Sequence, residues 1–494
     1  MSFHDLKGTV IDSRYCCGCG LCAAVCPAGN LAMQENEYGE IMPRKSGRCV
    51  GSCGLCQKVC PFAEGNEDED ELGGLLFRGK QGFAFDQAAG WAHATFAARV
   101  TDPEQRRQAP SGGMTTAVLI ALLEQGEIDG AVVTLPRPIR PWFQSRVAET
   151  PEQILASRGS VYHVTDQTEA LRRVIEGPDR RYAVVSLPCA VKAIRLAQRR
   201  IPRLAQRLPY VLGLACGGQR NRCFADLLTA LAGSSQGVLR YRSKQGALRA
   251  NDFGFQVESG VGGRRLRFKG LYGFLMMNGI AKLKSCLFCN DIFAELADAA
   301  FMDAWLPDFM DAPSGRNLVI SRNPRITRLM EEFSENGLGE IQRVAMGQIE
   351  ASQLGAIHKK RSGLAARCAA AGKRGWTTPK RPGRMTAAGA GLVAAAREQL
   401  QRWETLGRLL AAETSRLRAL KGIRASVQAW LTCWRLNLCL RKDEGSEIYN
   451  GRAVYFLQGF RPRALLRSLV SSMVRAKRLK GIDPRPSPAG PSKG

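Results

Sequence analysis

The sequence predicts three parts: a small α+β domain dense in cysteine, an α/β domain with a mixed sheet, and a basic, mainly helical C-terminal extension. Three observations predict them. Nine of the 17 cysteines fall within the first 60 residues, most of them in two compact runs. From Trp91 onward, short apolar runs with strand-like alternation take turns with stretches of helical periodicity. The formal net charge of +27 belongs to the end of the chain: residues 351–494 hold 29 Lys+Arg against 7 Asp+Glu, the first 350 only 42 against 37.

The first run, CCGCGLCAAVCP, sets Cys16, Cys19, Cys22 and Cys26 at gaps of two, two and three residues and closes on Pro27. The second, CVGSCGLCQKVCP, sets Cys49, Cys53, Cys56 and Cys60 at gaps of three, two and three and closes on Pro61. This is the bacterial ferredoxin grammar, which makes residues 1–63 a ferredoxin-like α+β domain with two 4Fe-4S clusters. A four-iron cube needs thiolates converging from different sides, and one short loop presents only three. The fourth ligand of each run therefore reaches across to the other cluster. On that logic Cys16, Cys19, Cys22 and Cys60 bind one cluster, and Cys49, Cys53, Cys56 and Cys26 bind the second. Cys17 is left over, a small residue beside a ligand. The two runs form an internal repeat that closes only when both clusters bind.

Other uses of cysteine fit less well. No cleavable apolar signal segment opens the chain and cysteine density collapses after residue 60, which argues against disulfides. Zinc shares the CxxC grammar, but structural zinc sites set two pairs apart by a dozen or more residues, whereas each run here crowds four cysteines together.

A length of 494 residues suits roughly two to four domains. No apolar run approaches the roughly 18 to 20 residues that cross a bilayer, so a cytoplasmic location is expected, with peripheral contact at the inner membrane surface left open. His4, His93, His163 and His358 show no paired spacing, which argues against imidazole metal sites. Glu64–Glu71, EGNEDEDE, repels itself and reads as the start of a solvated acidic linker over residues 64–90.

Residues 91–350 read as the α/β domain. WAHATFAARV alternates like a strand, Thr115–Gln125 has a helical period, and IDGAVVTL is a short β-rich run. The rhythm returns in YAVVSL before the helix after Cys189, and in LPYVLGLA before the helix from Asn221. Such alternation argues a largely parallel sheet. The shorter, glycine-rich, hairpin-like segments of Arg240–Lys269 make it mixed.

Three features here carry chemistry. The turn Pro110-Ser111-Gly112-Gly113 opens a helix, where free N–H groups and close backbone approach suit a phosphate or a flavin pyrophosphate. A serine cap with two glycines also begins many helices that bind nothing. Cys189 and Cys216 each follow directly on a strand, where open α/β sheets place their ligands. With the CxxC pair Cys286 and Cys289 they form a full ligand set for a third cluster or a zinc ion, burial as small hydrophobes being the plain alternative.

These segments carry a resemblance. APSGGMTTAVLIALLEQGEIDGAVV, RGSVY at Arg158–Tyr162, SLPCAVKAIR at Ser186–Arg195, GLACGG at Gly213–Gly218 and CLFCNDIFAELADAAFMDAW at Cys286–Trp305 follow in order. Together, from about residue 12 to about residue 350, the chain resembles the coenzyme F-420 hydrogenase/dehydrogenase beta-subunit family. The resemblance implies an FAD-binding domain over residues 91–350. Ser111, Gly112, Gly113, Gly159, Ser160 and Tyr162 would line the FAD, and Cys189, Cys216, Cys286 and Cys289 would hold a third 4Fe-4S cluster beside it. Two segments depart from the family pattern: Ser186-Leu187-Pro188-Cys189 stands for GTPC, and Met302 for the glycine of ADISxGDAW.

Clusters carry single electrons and hydride donors deliver pairs, so a flavin is the expected converter between them. The chain is expected to be an FAD- and iron-sulfur-dependent oxidoreductase, drawing on ferredoxin, F-420 or NAD(P)H, with no GxGxxG run to mark a separate nicotinamide site. The alternative is the electron-transfer beta subunit of a hydrogenase or formate dehydrogenase complex, with a separate catalytic partner. Asp291, Glu295, Asp298 and Asp303 follow the last CxxC, but nothing selects one as an acid or base, and no catalytic residue is assigned.

Residues 351–385 read as a mobile basic connector and 386–480 as a basic helical extension, with a second basic helix at Arg461–Lys480. Around Ala425–Leu440, Trp430 and Trp434 beside arginines suit an anionic membrane surface, a partner, or the protein's own body. Nucleic acid is not expected, because no recognised binding module accompanies the charge. Residues 481–494, rich in proline, read as a disordered tail.

Overall fold

Each cysteine run closes the same way, on a left-handed glycine followed by a single helical turn: Gly20 before Leu21–Ala24 and Gly54 before Leu55–Lys58. Between the runs, β1 (Leu31–Glu35) and β2 (Ile41–Lys45) form an antiparallel hairpin. This computed structural model describes residues 3–51, 53–234, 236–259, 265–310, 313–379, 389–420 and 422–441. The expected helix at Arg461–Lys480 and the tail 481–494 lie outside the described residues.

A short hairpin, β3 (Ala84–Asp86) with β4 (Gly90–Ala92), leads into the larger domain. Its strands are β5 (Ala94–Val100), β6 (Gly130–Pro136), β7 (Phe143–Ala148), β8 (Tyr182–Ser186) and β9 (Tyr210–Leu214). A three-stranded meander follows, of β10 (Val238–Ser243), β11 (Gly254–Glu258) and β12 (Leu266–Arg267); β13 (Ala299–Asp303), β14 (Asn317–Ser321) and β15 (Gly339–Arg343) return to the main sheet. That eight-stranded sheet runs β15-β5-β14-β13-β9-β8-β6-β7. β6, β8, β9 and β13 are parallel, and β5 points the same way because β14 is antiparallel to both of its neighbours. The sheet is mixed, as the sequence predicts.

Alternation along the strands divides their side chains between two faces. Val132, Val184, Val211, Ala300 and Leu318 join an apolar cluster with Val191, Ile194 and Leu196 of the helix Pro188–Arg200. Their neighbours Val133, Ala183, Leu212, Phe301 and Val319 join the opposite one, with Val118 and Leu122 of the helix Met114–Glu124 and Leu329 of Pro324–Glu335. Both faces are therefore covered, the expected condition for parallel strands.

Two expectations need correction. The acidic stretch is not a solvated linker: Asp68 caps a helix over Glu69–Phe77, with a reciprocal bond from Glu71. Glu67 pairs with Arg199 and Arg200, and Glu69 with Lys192. The like charges that should repel find cations on a neighbouring helix. The basic connector is likewise ordered through much of its length, as Met346–Ile357, His358–Ser362 and Leu364–Gly372, with Lys360, Arg361 and Arg367 buried.

The extension packs on the protein's own body. The helix Ala390–Ala419 inserts Ala396 and Leu400 beside Leu6 and Leu364, and Leu410 beside Phe224. Its Arg418 pairs with Asp226 and Glu35. Gly422–Arg441 packs beside it through Ala429, Cys433 and Leu436. Among the described residues no helix is long and apolar enough to cross a membrane.

Candidate functional site

Because β5, β6, β8, β9 and β13 point one way, their carboxyl ends share one edge. Along it lie the turn Ser111–Gly113 after β5, Asp303 at the end of β13, Cys216 after β9 and Cys189 after β8. Asn317, first in the opposed β14, stands directly across from Asp303 on one side and Ala98 on the other. Its side chain accepts from Met114 N at 3.1 Å and donates to Met302 O at 3.3 Å. Ser111 Oγ donates to Arg316 O at 2.6 Å. Gly112 lies so close to the strands that a Cβ there would stand 2.4 Å from Ala98 O and 2.7 Å from Asn317 N.

Cys189, Cys216, Cys286 and Cys289 are brought together at this edge. Gly218 N donates to Cys216 Sγ at 3.3 Å and Gln219 N to Cys286 Sγ at 3.2 Å, bonds that favour thiolates. Gly218 has a φ of +127°, and a Cβ on it would lie 2.5 Å from Lys282 Cε, so the loop needs glycine to come this close. Burial pushes the Cys216 thiol up to about 12, and Cys286, Cys189 and Cys289 oppose its ionisation further. Cys286 is raised by burial in the same way, with Lys282 working against it.

A buried cation also reaches these sulfurs. Lys360, only 2% exposed, donates to Cys216 O at 3.1 Å and also to Asp291 O. Burial would strip its proton, but the negative field of Cys289, Cys216, Asp291 and Cys286 outweighs burial and holds its pKa above the ordinary range. Sequence reasoning misses this residue. HKKRS falls in the stretch that reads as a mobile basic connector, and nothing local marks one of its lysines as buried.

The first ferredoxin-type set also converges. Cys16, Cys19, Cys22 and Cys60 line one small pocket, with Leu6, Val10, Ile11, Met33, Val59 and Phe62 as its apolar shell. Gly18 N points to Cys16 Sγ at 3.4 Å. Burial raises Cys16 and Cys22, and both feel Cys19 and Cys60. In the second set burial raises Cys56, which feels Cys53, Cys26 and Cys49. Cys49 and Cys53 are exposed at the surface. Cys17 is buried beside both Cys189 and Cys19, which push its pKa up, so the leftover cysteine lies between the first set and the third.

Among the described residues no three His, Cys, Asp or Glu side chains close on one point as they would round a single metal ion. Ligands of a four-iron cluster stand wider, because the cube lies between them. Three groups of four thiols, with Cys16, Cys22, Cys56, Cys216 and Cys286 held up by burial and backbone N–H groups aimed at Cys16, Cys216 and Cys286, fit iron-sulfur clusters, whose positive iron stabilises thiolates.

The residues assigned to FAD divide in two. Tyr162 packs edge-on against Tyr241 with ring centroids 5.5 Å apart; burial raises its pKa and it senses the Arg242–Asp303 pair. Ser160 lies close enough to oppose that rise, and Gly159, next in the chain, is exposed. Arg242 grips Asp303 with both oxygens at 2.6 and 2.7 Å, while its buried Nε has no partner in the structure. Asp303 and Asn317 are cross-strand neighbours, so Tyr162 and the Ser111 turn approach the same stretch of edge from two sides. An unmet guanidinium N–H there fits an anionic ligand such as a flavin's phosphates. The carboxylates after the last CxxC are engaged: Asp298 holds Arg195 and Val211 N, Glu295 holds Arg361, and Asp303 holds Arg242.

Comparison with known proteins follows these boundaries. Residues 95–172 match the N-terminal family profile of the coenzyme F420 hydrogenase/dehydrogenase beta subunit, and residues 179–346 its C-terminal profile. The chain belongs to the coenzyme F420 hydrogenase/dehydrogenase beta-subunit family. Residues 15–63 match a 4Fe-4S dicluster domain, so this family member carries an iron-sulfur module at its N-terminal end. A coenzyme F420-dependent sulfite reductase of Methanocaldococcus jannaschii is 26% identical over 322 residues, 60% of this chain and 44% of that protein. A coenzyme F420 hydrogenase subunit beta of Methanosarcina barkeri is 34% identical over 128 residues, 24% of this chain and 42% of that one. Its counterpart in Methanococcus voltae is 24% identical over 281 residues, 54% of this chain and 95% of that one. The chain thus spans under half the length of the first two relatives. A solved chain from the F420-reducing NiFe hydrogenase complex of Methanosarcina barkeri aligns with 21% identity and a TM-score of 0.44, over 56% of this chain and 92% of that one. Lys360 and the extension lie beyond the family match, which ends at residue 346.

Proposed function

We propose that the chain is an iron-sulfur flavoprotein that exchanges electrons between a hydride carrier of the F420 type and a one-electron partner. A flavin supplies the exchange between electron pairs and single electrons, and 4Fe-4S clusters carry the single electrons. Cys16, Cys19, Cys22 and Cys60 would hold one cluster, Cys26, Cys49, Cys53 and Cys56 a second, and Cys189, Cys216, Cys286 and Cys289 a third. Ser111–Gly113 on one side and Gly159, Ser160 and Tyr162 on the other would position FAD at the sheet edge. Arg242, fixed by Asp303, would offer its remaining N–H to an anionic group.

The observation that carries this reading is the position of Cys17, buried beside both Cys189 and Cys19. It lies between the sheet edge, where the proposed flavin and third cluster would sit, and the dicluster domain. Cys22 in turn feels Cys56, which supports a series running from the sheet edge to the exposed Cys49 and Cys53. A protein that needed its cysteines only as structural staples would not require such a series.

The test is anaerobic purification followed by reduction with F420H2, NADH, NADPH and reduced ferredoxin in turn. A yellow flavin band should bleach with one hydride donor, followed by the broad cluster absorbance. Protein without flavin would overturn the reading. The names of the hydrogenase relatives favour a second form of it, in which the chain works as a beta subunit. In that case it co-purifies with a catalytic partner and is silent with all donors alone.

A further inference from the structure

The outermost cysteines sit in a patch of one sign of charge. Cys49 and Cys53 are exposed, whereas Cys16, Cys19, Cys22, Cys26 and Cys60 are partly covered and Cys56 is buried. From Ile41 to Ala63 the chain carries Arg44, Lys45, Arg48 and Lys58 and no Asp or Glu. All four cations are exposed. Arg44 and Lys45 end β2, and Lys58 ends the turn of helix that carries Cys56.

The patch is tied to the second cysteine set. Asn30 Oδ1 is the partner of Cys26 Sγ at 3.4 Å, and Asn30 Nδ2 donates to Arg48 O. Ser46 N donates to Asn30 O at 3.0 Å. The basic loop is therefore anchored to the same asparagine that touches a ligand cysteine. Beside Cys49, Val50 is 58% exposed, an apolar contact in the same stretch of chain as the four cations. Beyond this stretch Glu64 is exposed at its edge, and Glu67 is engaged with Arg199 and Arg200.

We propose that this surface, around Cys49 and Cys53, docks an acidic one-electron carrier protein. The inference rests on the proposed function and names the partner at its outer end. An apolar centre with a charged rim is the usual form of a weak, fast protein contact, and single-sign charge steers an oppositely charged partner onto it. A carrier docked here would approach the least covered of the three sets. The chain's excess basicity lies in residues 351–494, so this patch is a separate local feature within the nearly balanced first 350.

The test uses the full chain and a purified acidic bacterial ferredoxin of the two-cluster type, with electron transfer followed by stopped flow. The rate constant should fall steeply between about 0.05 and 0.5 M salt. The quadruple variant Arg44→Glu, Lys45→Glu, Arg48→Glu, Lys58→Glu should lose about 10-fold or more in rate at low salt. Neutral replacements, Arg44→Gln, Lys45→Gln, Arg48→Gln and Lys58→Gln, should lose less and should keep wild-type iron content. Reduced methyl viologen is the control: if it cannot reduce the clusters, the proposed function itself fails. If it can, and ferredoxin transfer is indifferent to salt and to these variants, the docking inference is overturned. Binding of phosphatidylglycerol vesicles through the same four residues, with ferredoxin transfer unaffected by their replacement, would also overturn it.

Discussion

Lys360 Nζ lies 3.1 Å from the carbonyl oxygen of Cys216 and is buried among the thiols of Cys216, Cys286 and Cys289. A fixed positive charge beside a redox centre favours its reduced, more negative form. Lys360→Gln is expected to lower the midpoint potential of the proposed third cluster by roughly 60 mV, about one tenfold step for a one-electron couple. Potentiometric titration followed by EPR checks this. Lys360→Arg, which keeps the charge, should shift the potential less.

The turn before Met114 is packed too tightly to accept a side chain. Gly112→Ala would put a methyl 2.4 Å from Ala98 O, against backbone that cannot give way cheaply. A loss of about 2 kcal/mol or more is expected, seen as a lower melting temperature. Flavin content of the purified variant should fall with it, whereas Gln144→Ala on the outermost strand should change neither.

Arg242 and Asp303 hold one another at the end of β13, with the Arg242 side chain 4% exposed. Asp303→Asn leaves a buried guanidinium without its charge partner and is expected to cost about 3 kcal/mol. The double variant Arg242→Met, Asp303→Leu should recover much of that stability in a denaturant titration and bind less flavin.

His163 is a stability switch in acid. Its Nε2 lies 3.3 Å from Pro141 O and its Nδ1 2.7 Å from Tyr241 Oη. A carbonyl only accepts, so Nε2 carries the proton and Nδ1 accepts from the tyrosine hydroxyl. Burial pushes the ring's pKa down from 6.5 to about 3, with the charge of Arg222 assisting. The unfolded ring takes up its proton near pH 6.5 and the folded ring does not, so stability is full above that pH and falls as pH drops towards 3. The loss is about 1.4 kcal/mol per pH unit. Urea titration at pH 7 and pH 5 should show a drop of about 2 kcal/mol from this residue, largely absent in His163→Gln.

How much of this was legible in the sequence depends on how local the cause is. The two cysteine runs are legible because a cube dictates the spacing of its own ligands. The alternation in YAVVSL and LPYVLGLA is legible because strands covered on both faces must be apolar throughout, and it places Cys189 and Cys216 at the ends of β8 and β9. The helix at Glu69–Phe77 was written in Asp68 and Glu71, a capping pair hidden inside a charge block that reads as solvated. Lys360 was not legible at all. Its role comes from meeting Cys216, 144 residues earlier in the chain, and no local pattern records that meeting. The orientation of the extension is equally non-local, since Arg418 finds its carboxylates on Glu35 and Asp226.

The most direct test of the account is iron and acid-labile sulfide per chain, counted in anaerobically purified protein and in the variant Cys189→Ala, Cys286→Ala. Three sets of four cysteines should give about twelve irons in the wild type and about eight in the variant, with one EPR signal lost and the other two retained. A wild-type count of about eight, unchanged in the variant, would contradict a third cluster at the sheet edge.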